Sequence, residues 1–333
     1  MLFFWIIIFI ASLIVLIKGA DWFLASAEKI GLSIGLSPFI IGVTIVALGT
    51  SLPELISALI AVSKGVTEIV AANAIGSNIA NILLVVGVSS ILAKKLVASK
   101  SLIDLDAPLL AISTVLVLGV LADKKVVFIE SLFLVFLYLV YLAYTIIHRE
   151  EKKEIQDKKF LPSRLERRKH FFSFLPLRKI FQEKDIGLKD IVLLVVGGIC
   201  LFFGAQYLID SIVQLSLLFN ITAGVISLTA VALGTSLPEL VVSGKAALKG
   251  KPEVALGNIF GSNVFNILVV IGFPGLFSTL FLDQQTFRLG LPALGLVTLL
   301  FIISIISQKI HIWEGIMYLF LYVFFVLKLF SLI

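Results

Sequence analysis

The chain has 333 residues, of which 59% are hydrophobic and 14% charged, with a formal net charge of +6 and a mean hydropathy of +1.13. These values exclude a water-soluble globular protein and leave no stretch for a separate soluble domain; they describe a polytopic helical membrane protein. The one cysteine, Cys200, excludes an intramolecular disulfide, and its apolar neighbours make it a small lipid- or helix-facing residue.

In chain order, Met1 to Ile17 lacks a basic leading region and runs on into Lys18-Gly19-Ala20-Asp21-Trp22, which predicts a first membrane helix and not a cleaved signal. Apolar windows able to cross roughly 30 Å of hydrocarbon, about 20 residues each, fall at 2–28, 36–63, 68–93, 103–122, 126–147, 190–215, 221–248, 253–280, 287–308 and 311–332. The predicted fold class is all-α and integral to the membrane, with ten transmembrane helices. Between the fifth and sixth windows, 148–189 mixes Glu150, Glu151, Glu154 and Asp157 with basic residues and turns aromatic at Phe171, Phe172 and Phe174. It reads as a solvated, partly interfacial linker with membrane lipid as its neighbour, too short for a folded domain of roughly 100 residues. His148, His170 and His311 sit near span ends and offer no imidazole metal site.

The second window holds Ala47-Leu48-Gly49-Thr50-Ser51-Leu52-Pro53-Glu54, and the seventh repeats it residue for residue as Ala232-Leu233-Gly234-Thr235-Ser236-Leu237-Pro238-Glu239. Proline removes a backbone N–H and crowds the carbonyl four residues earlier, so Pro53 frees the carbonyl of Gly49 and Pro238 that of Gly234. A carboxylate at bilayer depth costs roughly 2.5–3.5 kcal/mol on insertion scales. Simple kinks do not require Thr50, Ser51 and Glu54 beside the break, nor the same set again. Paired interrupted helices in two halves point to a transporter's binding site, because loose backbone at that depth must line a cavity or be buried in protein.

The spacing of 185 residues between Glu54 and Glu239 also separates Asn78 from Asn263, Asn81 from Asn266 and Gly19 from Gly204. Each repeat therefore has five spans. An odd number of crossings brings the second repeat in from the opposite side, which gives inverted halves, 1–147 and 190–333, joined by the 148–189 linker. With the N-terminus outside, Lys29, Lys94, Lys95, Lys100, Lys245, Lys249, Lys251, Lys309 and the whole basic linker are cytoplasmic. Only Lys64, Lys124, Lys125 and Arg288 are then external, so both termini are expected outside the cell membrane and the linker inside.

A second paired motif follows each break: Asn73-Ala74-Ile75-Gly76-Ser77-Asn78-Ile79-Ala80-Asn81 and Asn258-Ile259-Phe260-Gly261-Ser262-Asn263-Val264-Phe265-Asn266. Gly76, Ser77, Gly261 and Ser262 allow close helix packing. Four-residue spacing puts Ser77 with Asn81, and Ser262 with Asn266, on one helical face. Asn73 and Asn258 are expected to stitch helices together. The candidate ligands are thus two carboxylates, several hydroxyls, two amides and freed carbonyls, all oxygen, with neither sulfur nor imidazole. Calcium takes six to eight such oxygens in flexible geometry, whereas magnesium demands a tight octahedron. Two glutamates neutralise one Ca2+, and sodium competes for the same oxygens.

The paired Gly-Thr-Ser-Leu-Pro-Glu and Gly-Ser-Asn segments, in two inverted five-helix halves, resemble the cation/calcium antiporter superfamily, specifically the sodium/calcium exchangers of prokaryotic type. The resemblance covers the chain outside its linker. It implies that Glu54 and Glu239 share a central calcium site with the carbonyls of Thr50 and Thr235. It also implies sodium sites involving the carbonyls of Ala47 and Ala232 together with Ser51, Ser77, Ser236 and Ser262, and alternating access by sliding of the first and sixth helices against the other eight. Some relatives carry aspartate where this chain has Asn266, so Asn81 and Asn266 match here. That keeps the calcium site electrically balanced and leaves the sodium stoichiometry open.

The expectation is therefore a secondary antiporter, not an enzyme, that exchanges Ca2+ for Na+ without a cofactor, nucleic-acid partner or obligate protein partner. Proton/calcium or potassium-dependent exchange keeps the same site. A cation channel would also want midplane carboxylates, but inverted broken helices fit alternating access better. An intramembrane enzyme would need a base beside Ser51 or Ser236, and none is apparent.

Overall fold

The computed structural model describes residues 2–33, 47–98, 102–158, 187–250 and 252–330. In hydrocarbon a backbone N–H or C=O must be satisfied within the protein, so the apolar windows become helices. These are α1 (Leu2–Ser33), α2 (Ala47–Thr50 and Leu52–Ser63, broken at Ser51), α3 (Glu68–Leu92), α4 (Leu102–Asp123) and α5 (Phe128–Lys158). The second half supplies α6 (Leu188–Phe219), α7 (Ala223–Thr235 and Leu237–Leu248, broken at Ser236), α8 (Pro252–Gly275), α9 (Thr286–Ile306) and α10 (Ile312–Leu329). Among the described residues, eight helices are long and apolar enough to cross a membrane singly, and the bent α7 makes a ninth. The expected second span, 36–63, begins outside the described residues; its described part is α2.

Some boundaries differ from the hydropathy windows. α1 continues to Ser33. α5 runs past 147 to Lys158 because its glutamates and lysines favour helix without needing hydrocarbon. The expected linker thus begins as a helical extension of α5, and its remainder, 159–186, lies outside the described residues. α8 stops at Gly275 and not at 280, where the chain leaves for a short strand.

The two helices bearing the asparagine motifs form the centre. Of their most apolar windows, 94% of α3 and 78% of α8 are buried, against 17% for α1 and for α10. Small side chains make this possible. A Cβ at Gly76 would lie 2.2 Å from the carbonyl oxygen of Leu228 and 2.7 Å from the Ala232 Cβ, so α3 touches α7 backbone to backbone. Ser227 adds a bond across the same contact, donating to the Ile69 carbonyl at 3.0 Å.

α1 and α6 pack antiparallel along glycines. Gly204 faces the backbone of Leu16, Gly19 faces Gly197 and Leu201, and Gly197 faces the backbone of Phe23. Cys200 meets Gly19 in this contact, which makes it helix-facing. Lys29 closes one end of the pair on Asp190 at 2.6 Å. Beyond each other, α1 and α6 chiefly meet α2 and α7. Toward the other end Lys64, just after α2, pairs with Asp210 on α6 and donates to the Gln206 carbonyl at 3.1 Å.

Two short antiparallel ladders report the sidedness. β1 (Lys95–Val97) pairs with β4 (Lys309–His311), and β2 (Lys125–Val126) pairs with β3 (Leu280–Phe281). β1 follows α3 and β4 precedes α10; β2 precedes α5 and β3 follows α8. Each ladder therefore joins the two halves, with the roles of entry and exit exchanged, and paired strands must share one side of the membrane. That is the pattern inverted repeats produce.

The glycine contact gives a matched pair of variants. Gly197→Ala places a Cβ 2.6 Å from the Phe23 nitrogen, whereas Gly198→Ala meets nothing within 4 Å. In detergent, Gly197→Ala is expected to lower the unfolding temperature and Gly198→Ala to keep or raise it, since alanine is favoured over glycine in a helix by about 1 kcal/mol. Equal behaviour of the two variants would show that the pair does not depend on this close approach.

Candidate functional site

The site is built from the two breaks. α2 is interrupted at Ser51 and α7 at Ser236, with a bend of 40° in α7. Pro53 and Pro238 occupy the first turns of the restarted helices, where a missing N–H costs nothing. Glu54 and Glu239 consequently fall in first turns as well. There the unpaired N–H groups and the positive end of the helix dipole favour a carboxylate.

Both carboxylates are fully buried, and each is reached from other elements of the two halves. Ser51 of α2 donates to Glu239 Oε1 at 3.1 Å, and the Thr50 and Ser262 side chains lie beside this carboxylate. Ser77 of α3 donates to Glu54 Oε1 at 3.4 Å, and the Thr235 side chain of α7 lies beside the same group. Glu54 and Glu239 lie close enough to interact electrostatically. Thr50, Thr235, Ser51, Ser77 and Ser262 are therefore brought beside the two glutamates.

The remaining predicted residues occupy matching positions. Ser236 sits buried at the α7 break, and its Oγ has no hydrogen-bond partner among the described residues. The Ala232 carbonyl, which opens the short helical turn before that break, accepts from the Ser236 N–H at 3.0 Å and lies 3.5 Å from Thr235 Oγ1. Ala47 opens the described part of α2. Asn81 and Asn266 are completely buried, with both side-chain polar atoms unpartnered among the described residues. Glu54 Oε2 and Glu239 Oε2 are likewise unpartnered. Burying a polar atom without a partner costs roughly 1–3 kcal/mol, and more when it is charged. Two carboxylate oxygens, two amides and a hydroxyl left in this condition form a set whose chemistry suits a hard cation.

Sequence reasoning missed part of this arrangement. Asn81–Val85 and Asn266–Val270 are π-helical turns, as is Ser227–Val231 just before Ala232. A π turn widens the helix locally and rotates the face that follows, so the four-residue spacing holds only up to Asn81 and Asn266. Nothing in composition marks such a turn, although both begin at a motif asparagine. Asn78 and Asn263 also do more than mark the repeat: Asn78 Nδ2 donates to the Asn263 carbonyl at 3.1 Å, which pins α3 to α8 where equivalent residues meet. Of the two expected stitching amides, Asn258 bonds Thr50 and Ser243, while the Asn73 side chain has no partner among the described residues.

Identical truncations separate a bonded amide from one without a partner among the described residues. Asn78→Ala removes a buried hydrogen bond and is expected to lower stability by about 1 kcal/mol more than Asn81→Ala. Thermal unfolding of both in ion-free buffer checks this; a larger loss for Asn81→Ala would assign that amide to packing.

Comparison with known proteins gives the family. The family model described as sodium/calcium exchanger protein matches residues 4–147 and 189–330. The sodium/calcium exchanger MaX1 of Methanosarcina acetivorans is 32% identical over 97% of this chain and 98% of its own length. Inner membrane protein YrbG of Escherichia coli is 30% identical over 88% of this chain and 86% of its own. A solved structure of the sodium-calcium exchanger NCX_Mj, from material soaked with Na+ and Ca2+, superposes with a TM-score of 0.64 at 29% identity, covering 97% of this chain and 98% of that one. The chain is a multi-pass membrane protein and belongs to the sodium/calcium exchanger family.

Proposed function

We propose that this exchanger moves Ca2+ against Na+ by alternating access around one all-oxygen site between the two breaks. The observation that carries the reading is the cross-braced pair of fully buried carboxylates, Glu54 and Glu239, each with one oxygen that meets no donor among the described residues. One Ca2+ between them cancels two negative charges in a low-dielectric setting, where leaving either unpaired is costly. Sodium ions take the same oxygens singly, with Ser51, Ser77, Ser236, Ser262 and the carbonyls of Ala47 and Ala232 as further ligands. Occupation by one cation type then excludes the other, which couples the two fluxes.

The antiparallel α1–α6 pair supports a mechanism in which these helices move together past the remainder. They pack on each other through backbone contacts and meet chiefly α2 and α7, the helices that carry the site. We assign 1–147 and 190–333 as the two exchanger halves and 148–189 as their cytoplasmic connection, in a cell membrane with both termini external. The basic residues of the linker and the few external lysines support that orientation.

The direct test is radiolabelled Ca2+ uptake into proteoliposomes at clamped voltage. Uptake is expected from vesicles loaded with Na+ and not from vesicles loaded with K+ or acid. Glu54→Gln and Glu239→Gln, which keep shape and remove charge, are expected to abolish uptake while remaining folded. Wild-type flux in both variants would remove the glutamates from the site, and uptake driven by a proton gradient would replace the sodium coupling.

A further inference from the structure

A hydrogen-bonded chain runs from buried positions on α7 and α8 to Thr50 at the α2 break. Ser243 Oγ donates to the Ala255 carbonyl at 3.3 Å, Asn258 Nδ2 donates to Ser243 Oγ at 3.1 Å, and Thr50 Oγ1 donates to Asn258 Oδ1 at 3.4 Å. Thr50 in turn lies 3.3 Å from Ser262 Oγ, and both side chains lie beside Glu239. Ser243, Asn258 and Thr50 are buried, at 0%, 6% and 2% exposure.

The direction of this chain is fixed by elementary valence. A carbonyl can only accept, so Ser243 spends its one hydrogen on Ala255 and can only accept from Asn258. The amide must then turn its NH2 toward Ser243 and its carbonyl oxygen toward Thr50. In the other half the equivalent of Ser243, 185 residues earlier, is Ala58, which has no hydroxyl. The equivalent amide, Asn73, is 1% exposed and neither of its polar atoms has a partner among the described residues. Thr235, the equivalent of Thr50, bonds its own helix at the Val231 carbonyl, at 3.1 Å.

We propose that Ser243 and Asn258 are positioning residues for the ion site: Ser243 sets the Asn258 amide so that its oxygen, and not its NH2, stands behind Thr50 and Glu239. The inference rests on the reading of Thr50 and Glu239 as ion ligands. With the oxygen inward, the amide dipole presents negative charge toward a cation and offers Glu239 no competing donor. Were the amide reversed, its NH2 would place partial positive charge there and turn the Thr50 hydroxyl toward Glu239. The half-site around Glu239 is thereby fixed by a side-chain network that has no counterpart around Glu54 among the described residues, so the two inverted halves are unequal in their hold on a cation.

The test is the Ca2+ dependence of Na+-driven uptake in proteoliposomes of wild type, Ser243→Ala, Ser243→Thr and Glu239→Gln. Ser243→Ala is expected to raise the KM for Ca2+ about two- to tenfold, the worth of one hydrogen bond, with the maximum rate retained. Ser243→Thr keeps the hydroxyl and is expected to restore the wild-type KM. Wild-type KM in Ser243→Ala would overturn the proposal, as would a raised KM in both variants, which would assign the effect to packing. Thermal unfolding without Ca2+ gives a second reading: a lower Tm in Ser243→Ala with an unchanged KM is a structural role only, and overturns it too. Failure of the site reading is distinct, because wild type would then lack sodium-driven uptake or Glu239→Gln would retain it.

Discussion

Two carboxylates held away from water, Glu54 and Glu239, are the constraint to which the other features of the fold answer. Charge in hydrocarbon is tolerated only when it is paired, hydrogen-bonded or matched to an ion. Here each carboxylate stands in the first turn of a restarted helix and accepts from hydroxyls on neighbouring helices. The breaks at Ser51 and Ser236 exist because an uninterrupted helix has no free N-terminus to offer. The prolines follow from the breaks, since a first turn is where proline is tolerated.

Close packing around that centre sets the composition of α3 and α8. Hydroxyls can brace a carboxylate on another helix only if the helices nearly touch, and Gly76, with the Leu228 carbonyl where its Cβ would be, allows this. Asn78 then fixes the crossing with a bond to the Asn263 carbonyl. The outer helices carry less of this burden. α1 and α10 remain mostly uncovered, as suits surfaces that face lipid. α1 and α6 hold to one another through glycines and through Lys29 with Asp190, which gives the pair an identity separate from the bundle.

The fold class and much of the site were legible in the amino-acid sequence, for physical reasons. Hydropathy locates spans because hydrocarbon imposes it, and the spacing of 185 residues exposes the duplication wherever both copies kept the same residue type. Hydropathy could not see that α5 continues to Lys158, since that extension is polar helix. The π turns at Asn81 and Asn266 were invisible because backbone register is decided by tertiary packing and not by local propensity. Repetition also concealed something. Ser243 stands where the first copy has Ala58, and only the geometry shows that Asn258 is anchored by this hydroxyl while Asn73 has no partner among the described residues.

The central claim is that one cation binds between Glu54 and Glu239 and that sodium and calcium contend for it. Equilibrium binding of radiolabelled Ca2+ to the purified protein, titrated with Na+ at constant ionic strength, tests this most directly. Ca2+ is expected to bind at one per chain and to be displaced by Na+ in a manner that more Ca2+ reverses. Calcium binding that Na+ leaves untouched would contradict it, because the two ions would then not share these oxygens.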